Sequence, residues 1–285
     1  MGGGIDERHI AVAGFTTRYL TSGRGLPLVL LHGDGESALD WTWTLPALAA
    51  THRVYAPDLP GAAERVTGLA DYTPAGLARF VTAFLDTLGI ERPVVVGNSL
   101  GGLAALRLAL AAPGRVSALG LVASAGLGRA VHPLLLPVTL PGYGEWAIAW
   151  SATPLGATQR AWWRATFLFA RSERIPAAWL AEQERLAHRP GFLAATLAAR
   201  RTQLAPFGQR EVVLGALPRL AMPVLVIWGE RDLVFPPDQA RAAVAWLPRG
   251  ELALIPDCGH LPHVERPDLF VAALGRFSPE RTLPG

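Results

Sequence analysis

The 285-residue sequence contains no lysine, so its 26 basic residues are all arginine, and it has one cysteine, Cys258, and two methionines. A lone thiol excludes an intramolecular disulfide and any zinc cluster built on several cysteines, which fits a reducing compartment. Charge is sparse: 17% of residues are charged, the net charge is +3, and the arginines are scattered with no basic run of five or more. That pattern argues against a nucleic-acid partner. No uninterrupted apolar run reaches the ~18 residues needed to span a bilayer. Met1 to Arg8 is glycine-rich and charged, where a secretory leader would be basic and then apolar. A soluble, cytoplasmic protein is the expectation.

Apolar side chains, at 51%, are plentiful enough in a chain of this length to bury a large core. They fall in short runs bounded by turn residues: Leu28 to Leu31, Arg53 to Ala56, Pro93 to Val96, Ala118 to Ala123, Pro223 to Trp228 and Glu251 to Ile255. Such runs read as buried parallel strands. Helical patterns over Pro74 to Leu88, Leu100 to Ala112 and Pro237 to Trp246 lie between them, giving the alternation of an α/β fold. The alternation stops between residues 124 and 218, which predicts a helical insertion and a core made of residues 1–123 and 219–285. Five tryptophans concentrate in that insertion, Trp146, Trp150, Trp162, Trp163 and Trp179. They suggest a lid with an aromatic pocket, the alternative being ordinary helix packing.

One segment carries chemistry. The strand Pro93-Val-Val-Val96 runs into Gly97-Asn98-Ser99-Leu100-Gly101-Gly102 and then into an alanine- and leucine-rich helix. A serine on so sharp a turn projects its hydroxyl above the sheet's carboxyl edge, beside a helix N-terminus. A serine hydroxyl needs a base, so an imidazole must be near. Of seven histidines, His260 and His263 fall in the loop after the last strand, with Gly259 permitting a tight turn; His260 is favoured and His263 held in reserve. The third member must accept a hydrogen bond from the imidazole. Asp232 follows a strand at the edge where functional loops collect, whereas Asp238 suits a helix first turn and Asp257 is too near His260; Glu230 is the alternative acid.

These segments, with His32-Gly33-Asp34-Gly35, Asp58-Leu59-Pro60-Gly61, Trp228-Gly229-Glu230-Arg231-Asp232 and Gly259-His260 in the same order, resemble the α/β-hydrolase fold family. The resemblance implies an eight-stranded, mostly parallel sheet with a helical cap inserted after the sixth strand. It supports a Ser99, Asp232, His260 triad and makes Asp58 structural. It also implies an oxyanion hole from the amides of Leu100 and Asp34. A carboxylate at Asp34 departs from the commonest pattern, and is expected to point away or bind a nearby donor. No cofactor or metal is required.

The expected activity is that of a serine hydrolase, most simply a carboxylesterase cleaving small-molecule esters with an apolar acyl or alcohol part through an acyl-serine. Fold relatives with an aspartate nucleophile are disfavoured by Ser99. Carbon-carbon bond hydrolases of vinylogous diketones share an Asn-Ser nucleophile segment, but a tryptophan usually follows their histidine where this chain has Leu261. A non-catalytic ligand-binding role is the third alternative. The apolar cap stretch also admits a homodimer.

Overall fold

The computed structural model describes residues 4–62, 65–66 and 71–277, so the outer ends of the expected core, residues 1–3 and 278–285, and residues 63–64 and 67–70 lie outside the described residues. Eight strands form the body of one sheet: β1 (Asp6–Val12), β2 (Phe15–Ser22), β3 (Leu26–Leu31), β4 (His52–Pro57), β5 (Val94–Asn98), β6 (Ala118–Val122), β7 (Val224–Gly229) and β8 (Gly250–Ile255). Their spatial order is β1-β2-β4-β3-β5-β6-β7-β8, and a two-residue strand, Arg65–Val66, adds to β2. From β4 onward every pairing is parallel, while β1–β2 and β2–β4 are antiparallel.

All six apolar runs are strands of this sheet. The two strands with no such run are β1 and β2. Most of β1 is exposed, and its residues are largely polar, so it carries no core signal. What fixes it is the turn Ala13-Gly14, where both residues have positive φ (48° and 85°), the backbone of a two-residue type I′ hairpin.

Alternate residues of the central strands enter opposite cores. Val29, Leu31, Val95, Leu119, Leu121, Val224 and Val226 pack with helices α1 (Pro74–Thr87) and α2 (Leu100–Ala111). Leu28, Leu30, Val94, Val96, Val122, Leu225 and Ile227 pack against Phe270 and Leu274 on the far face. Burial on both faces is why these strands read as continuous rather than alternating hydrophobic runs.

Between β6 and β7 the chain forms the expected helical insertion, with α3 (Tyr143–Ser151), α4 (Pro154–Leu168), α5 (Ala177–Ala187) and α6 (Phe192–Gln203). A two-residue ladder pairing Leu204–Ala205 with Gly208–Gln209 closes it, too short to leave a sequence signal. Beyond it lie α7 (Asp238–Trp246) and α8 (Pro267–Arg276), the latter carrying Phe270 and Leu274.

Asp58, fully buried at the end of β4, ties three segments together. Its carboxylate accepts from Arg18 Nε at 3.0 Å and from the Ala38 amide at 2.8 Å, and its carbonyl accepts from Thr17 at 2.6 Å. It is structural, as the family resemblance implies. Asp58→Ala strands a buried guanidinium and should lower unfolding stability by about 3 kcal/mol or more. A urea midpoint equal to wild type would show that the loops hold without it.

Candidate active site

At the carboxyl end of β5 the backbone turns abruptly. Ser99 sits at φ 51°, ψ −115°, a conformation L-residues rarely adopt, and opens α2 directly. The turn is locked by hydrogen bonds from the Ser99 amide to Val122 O (2.9 Å) and from the Ala125 amide to Ser99 O (3.0 Å). Its closeness explains the glycines on either side. A Cβ at Gly97 would collide with the Gly101 backbone, and one at Gly101 would stand 2.5 Å from the carbonyls of Leu31 and His32.

Across the sheet edge, His260 Nδ1 lies 2.8 Å from Asp232 Oδ2, with both side chains buried. A carboxylate only accepts, so a proton sits on Nδ1, and in the neutral imidazole Nε2 carries the lone pair. The other oxygen of Asp232 accepts from the amides of Val234 (2.8 Å) and Phe235 (3.1 Å). The carboxylate is thereby fixed before the histidine meets it. Phe235 also packs edge-on to the His260 ring at 5.3 Å.

His260 and Ser99 line the same cavity, about 110 Å³, together with Val131, Leu135, Phe167 and Trp163. The insertion reaches down to this loop: the His260 amide donates to Leu168 O at 2.8 Å, and a Cβ at Gly259 would meet that same carbonyl at 2.5 Å. Glycine is needed there for close approach.

The other candidates lie elsewhere. His263 is buried and stacked on Trp41 at 4.1 Å, and burial pushes its pKa down to about 3. Glu230 is exposed, Asp238 pairs with Arg241 on the surface, and Asp257 is held by Arg171, Arg174 and Arg231. His32 has a fixed neutral tautomer, since Leu59 N–H donates to Nε2 (2.9 Å) and Nδ1 therefore donates to Gly33 O (2.8 Å).

Among the described residues the amides of Leu100 and Asp34 donate to no protein acceptor, whereas the Gly33 amide is taken by Glu36 at 2.9 Å. The Asp34 carboxylate does bind a donor: its Oδ2 accepts from Arg200 Nε and a second Arg200 nitrogen at 2.8 and 2.6 Å. Four of the five insertion tryptophans, Trp146, Trp150, Trp162 and Trp163, line a second, larger chamber of about 700 Å³. Trp179 does not; it is core, packed edge-on to Phe169 at 5.1 Å.

Two residues that the sequence left unassigned hold the histidine loop. Asn98 Nδ2 donates to both Val122 O and His260 O at 3.1 Å, so the residue before the serine anchors the histidine's backbone. Glu265 accepts from the amides of Gly259 (2.7 Å), Ala170 (3.1 Å) and Arg171 (3.0 Å), clamping that loop to the end of α4. Neither partner set has a local sequence signal, because the carbonyls that Asn98 binds and the amides that Glu265 binds are backbone groups with no residue identity.

The chain belongs to the α/β-hydrolase fold family: the family model matches residues 27–267. Among curated relatives it is 34% identical over 283 residues to 2-hydroxymuconate semialdehyde hydrolase from Pseudomonas sp. (strain CF600), covering 96% of this chain and 94% of that one. Its fold matches the 2-hydroxy-6-oxo-6-phenylhexa-2,4-dienoate hydrolase of Rhodococcus sp. strain RHA1, with a TM-score of 0.82, 24% identity and coverage of 98% and 99%. It also matches a Bacillus subtilis carboxylesterase, with a TM-score of 0.75, 22% identity and coverage of 96% and 92%.

The buried His263 gives a stability prediction with a definite sign. Its native pKa of about 3 lies below the ordinary 6.5, so the unfolded chain takes up a proton the native state refuses. Its stabilisation is complete above pH 6.5 and is lost progressively toward pH 3. Buried Asp40, raised by burial and by Glu36, acts in the opposite direction, so the difference between wild type and His263→Phe isolates the imidazole. Urea unfolding at pH 7 and pH 4 should show wild type losing more stability than the variant. Parallel losses would refute the assignment.

Proposed function

We propose that the protein is a serine hydrolase in which Ser99 is the nucleophile, His260 the general base and Asp232 the acid that orients it. The observation that carries the reading is the pre-set His260–Asp232 pair opening onto the same cavity as a serine held at φ 51°. His260 Nε2 takes the Ser99 proton as Oγ attacks the carbonyl carbon, and the Leu100 and Asp34 amides receive the charge that develops on the carbonyl oxygen. The imidazolium, stabilised by Asp232, protonates the leaving group. Water then enters by the same base and releases the acid from the acyl-serine.

A carboxylic ester with an apolar part is the substrate class we favour, because Val131, Leu135, Phe167 and Trp163 wall the cavity. Residues 124–218 serve as the cap that closes it, and a homodimer through exposed cap residues such as Trp146 and Leu134 is compatible with that role. No helix among the described residues is long and apolar enough to cross a membrane. Action on small molecules in the cytoplasm fits the lone buried thiol. Carbon-carbon bond cleavage is the second reading, favoured by the 34% identity to a semialdehyde hydrolase over nearly both whole chains. It calls on the same triad and differs in the bond broken.

Ser99→Ala and His260→Ala should each lower ester hydrolysis by about four to six orders of magnitude with unchanged folding, since the members act as one unit. Fluorophosphonate labelling of wild type and its loss in Ser99→Ala checks the nucleophile independently, and a variant retaining a tenth of the activity would end the assignment. Asp232→Asn should fold normally yet turn over about 10⁴-fold more slowly, because an amide stabilises the wrong tautomer. In a panel of p-nitrophenyl esters, kcat/KM should rise a few-fold per added methylene, about 0.8 kcal/mol each, until the cavity fills. A vinylogous diketone cleaved faster than every ester would select the second reading.

A further inference from the structure

The chamber between α3, α4 and α6 has a charged end that ester hydrolysis does not use. Arg160 and Arg164, one turn apart on α4, and Arg200 on α6 all line it, and they face the loop after β3. Two of the three are answered there. Arg200 binds the Asp34 carboxylate, while Arg164 donates to Asp34 O at 3.0 Å and lies 3.4 Å from Glu36 Oε1.

Arg160 is not answered by a carboxylate among the described residues. One terminal nitrogen donates to the backbone and side-chain oxygens of Gln183 at 3.2 and 3.3 Å, its face lies 5.7 Å from the Phe192 ring centre, and its other terminal nitrogen is buried without a partner. Arg164 Nε is likewise buried and unpartnered. The remaining acids nearby do not help. Glu182 is engaged by Arg185 at 2.6 and 2.8 Å, and the buried Asp40 carboxyl makes no ion pair with these arginines and is raised in pKa by burial and by Glu36. The three guanidinium groups are thus contacted by two carboxylates, Asp34 and Glu36. Burial, with added repulsion from Arg164 and Arg200, holds the Arg160 pKa well below its ordinary value.

A half-buried cation with no carboxylate in contact is a natural partner for an anionic ligand. The walls that lead away from this end are aromatic, with Trp146, Trp150 and Trp163 lining the same chamber. The chamber and the Ser99 cavity adjoin, with Leu135, Trp163, Arg164 and Arg200 lining both.

We propose that this chamber is a binding site for an amphipathic monocarboxylate, its acid group held by Arg160 and Arg164 and its apolar body by the tryptophans. The substrate is then an apolar ester that also carries one free carboxylate, an inference that rests on the hydrolase reading for the ester but not for the acid.

The test uses two uncharged-body probes of equal shape, 4-phenylbutyrate and its amide 4-phenylbutyramide, titrated against tryptophan fluorescence of the whole protein. Wild type should bind the carboxylate at least about tenfold more tightly than the amide, as a charge-assisted pair in a half-buried site does. Arg160→Met and the hydrogen-bonding Arg160→Gln should both erase that preference while leaving the amide's affinity unchanged. Arg241→Met, on the far surface, should keep it. Equal affinity for the two probes, binding of neither, or a preference that survives in both folded variants overturns the site. Fluorophosphonate labelling in the same samples separates the two ideas. Labelling without carboxylate preference sinks this inference alone, and preference without labelling sinks the hydrolase reading alone.

Discussion

A serine held at φ 51° among backbones too close to admit a neighbouring Cβ is the constraint on which the rest of the site depends. The strain, of order 1–3 kcal/mol for such a conformation, persists because the surroundings over-determine it. β5 is fully buried between β3 and β6, α2 packs into one of the two cores through Leu103 and Leu106, and the Ser99 amide and carbonyl are bonded across to the end of β6 and the segment after it. Loosening any of these would let the turn relax to ordinary backbone and withdraw the hydroxyl from the cavity. The fold's burial energy is thus converted into the placement of one oxygen atom.

The facing half of the site is held by a different device. Loops cannot be packed as tightly as strands, and here carboxylates accept their backbone amides. Asp232 takes two amides of its own loop, Glu265 takes three amides from two segments, and Asp58 takes one amide and a guanidinium. Charge-assisted hydrogen bonds of this kind are shorter and stronger than neutral ones. They have a consequence for chemistry: the carboxylate oriented by amides on one oxygen offers the other to His260 at a fixed angle, so the imidazole does not have to search for it.

How far such features can be read from sequence follows from whether the cause is local. The central strands and the elbow were legible because their residue types are dictated in place: valine runs for burial on both faces, glycines for close backbone approach. That Ser99, Asp232 and His260 meet at one edge was legible because each sits in a loop whose position along the strand order brings it there. The strands β1 and β2 were not, since most of β1 is exposed and a turn, not an apolar run, determines it. Asn98 and Glu265 stayed unassigned because their partners are backbone groups, which have no letter in the sequence. Trp179 illustrates the opposite error: five tryptophans in one insertion look alike, yet only the three-dimensional packing sends one into the core and four to the chamber.

The carboxylate of Asp34 poses the sharpest electrostatic question, because in the proposed reaction the amide of the same residue receives the oxyanion. Two like charges at about 4 Å with an effective dielectric near 20 repel by about 4 kcal/mol, enough to cancel the benefit of one oxyanion donor, about 3 kcal/mol. The structure answers with Arg200, whose guanidinium binds that carboxylate at 2.6 and 2.8 Å, and with Arg164, which donates to the Asp34 carbonyl. Paired in this way, the Asp34 carboxylate faces a guanidinium, and Arg164 and Arg160 stand beside it on α4. A chain whose net charge is only +3 has concentrated three arginines at this one edge. The carboxylate at position 34 is therefore answered by residues on α4 and α6, so the insertion supplies charge as well as wall to the candidate site.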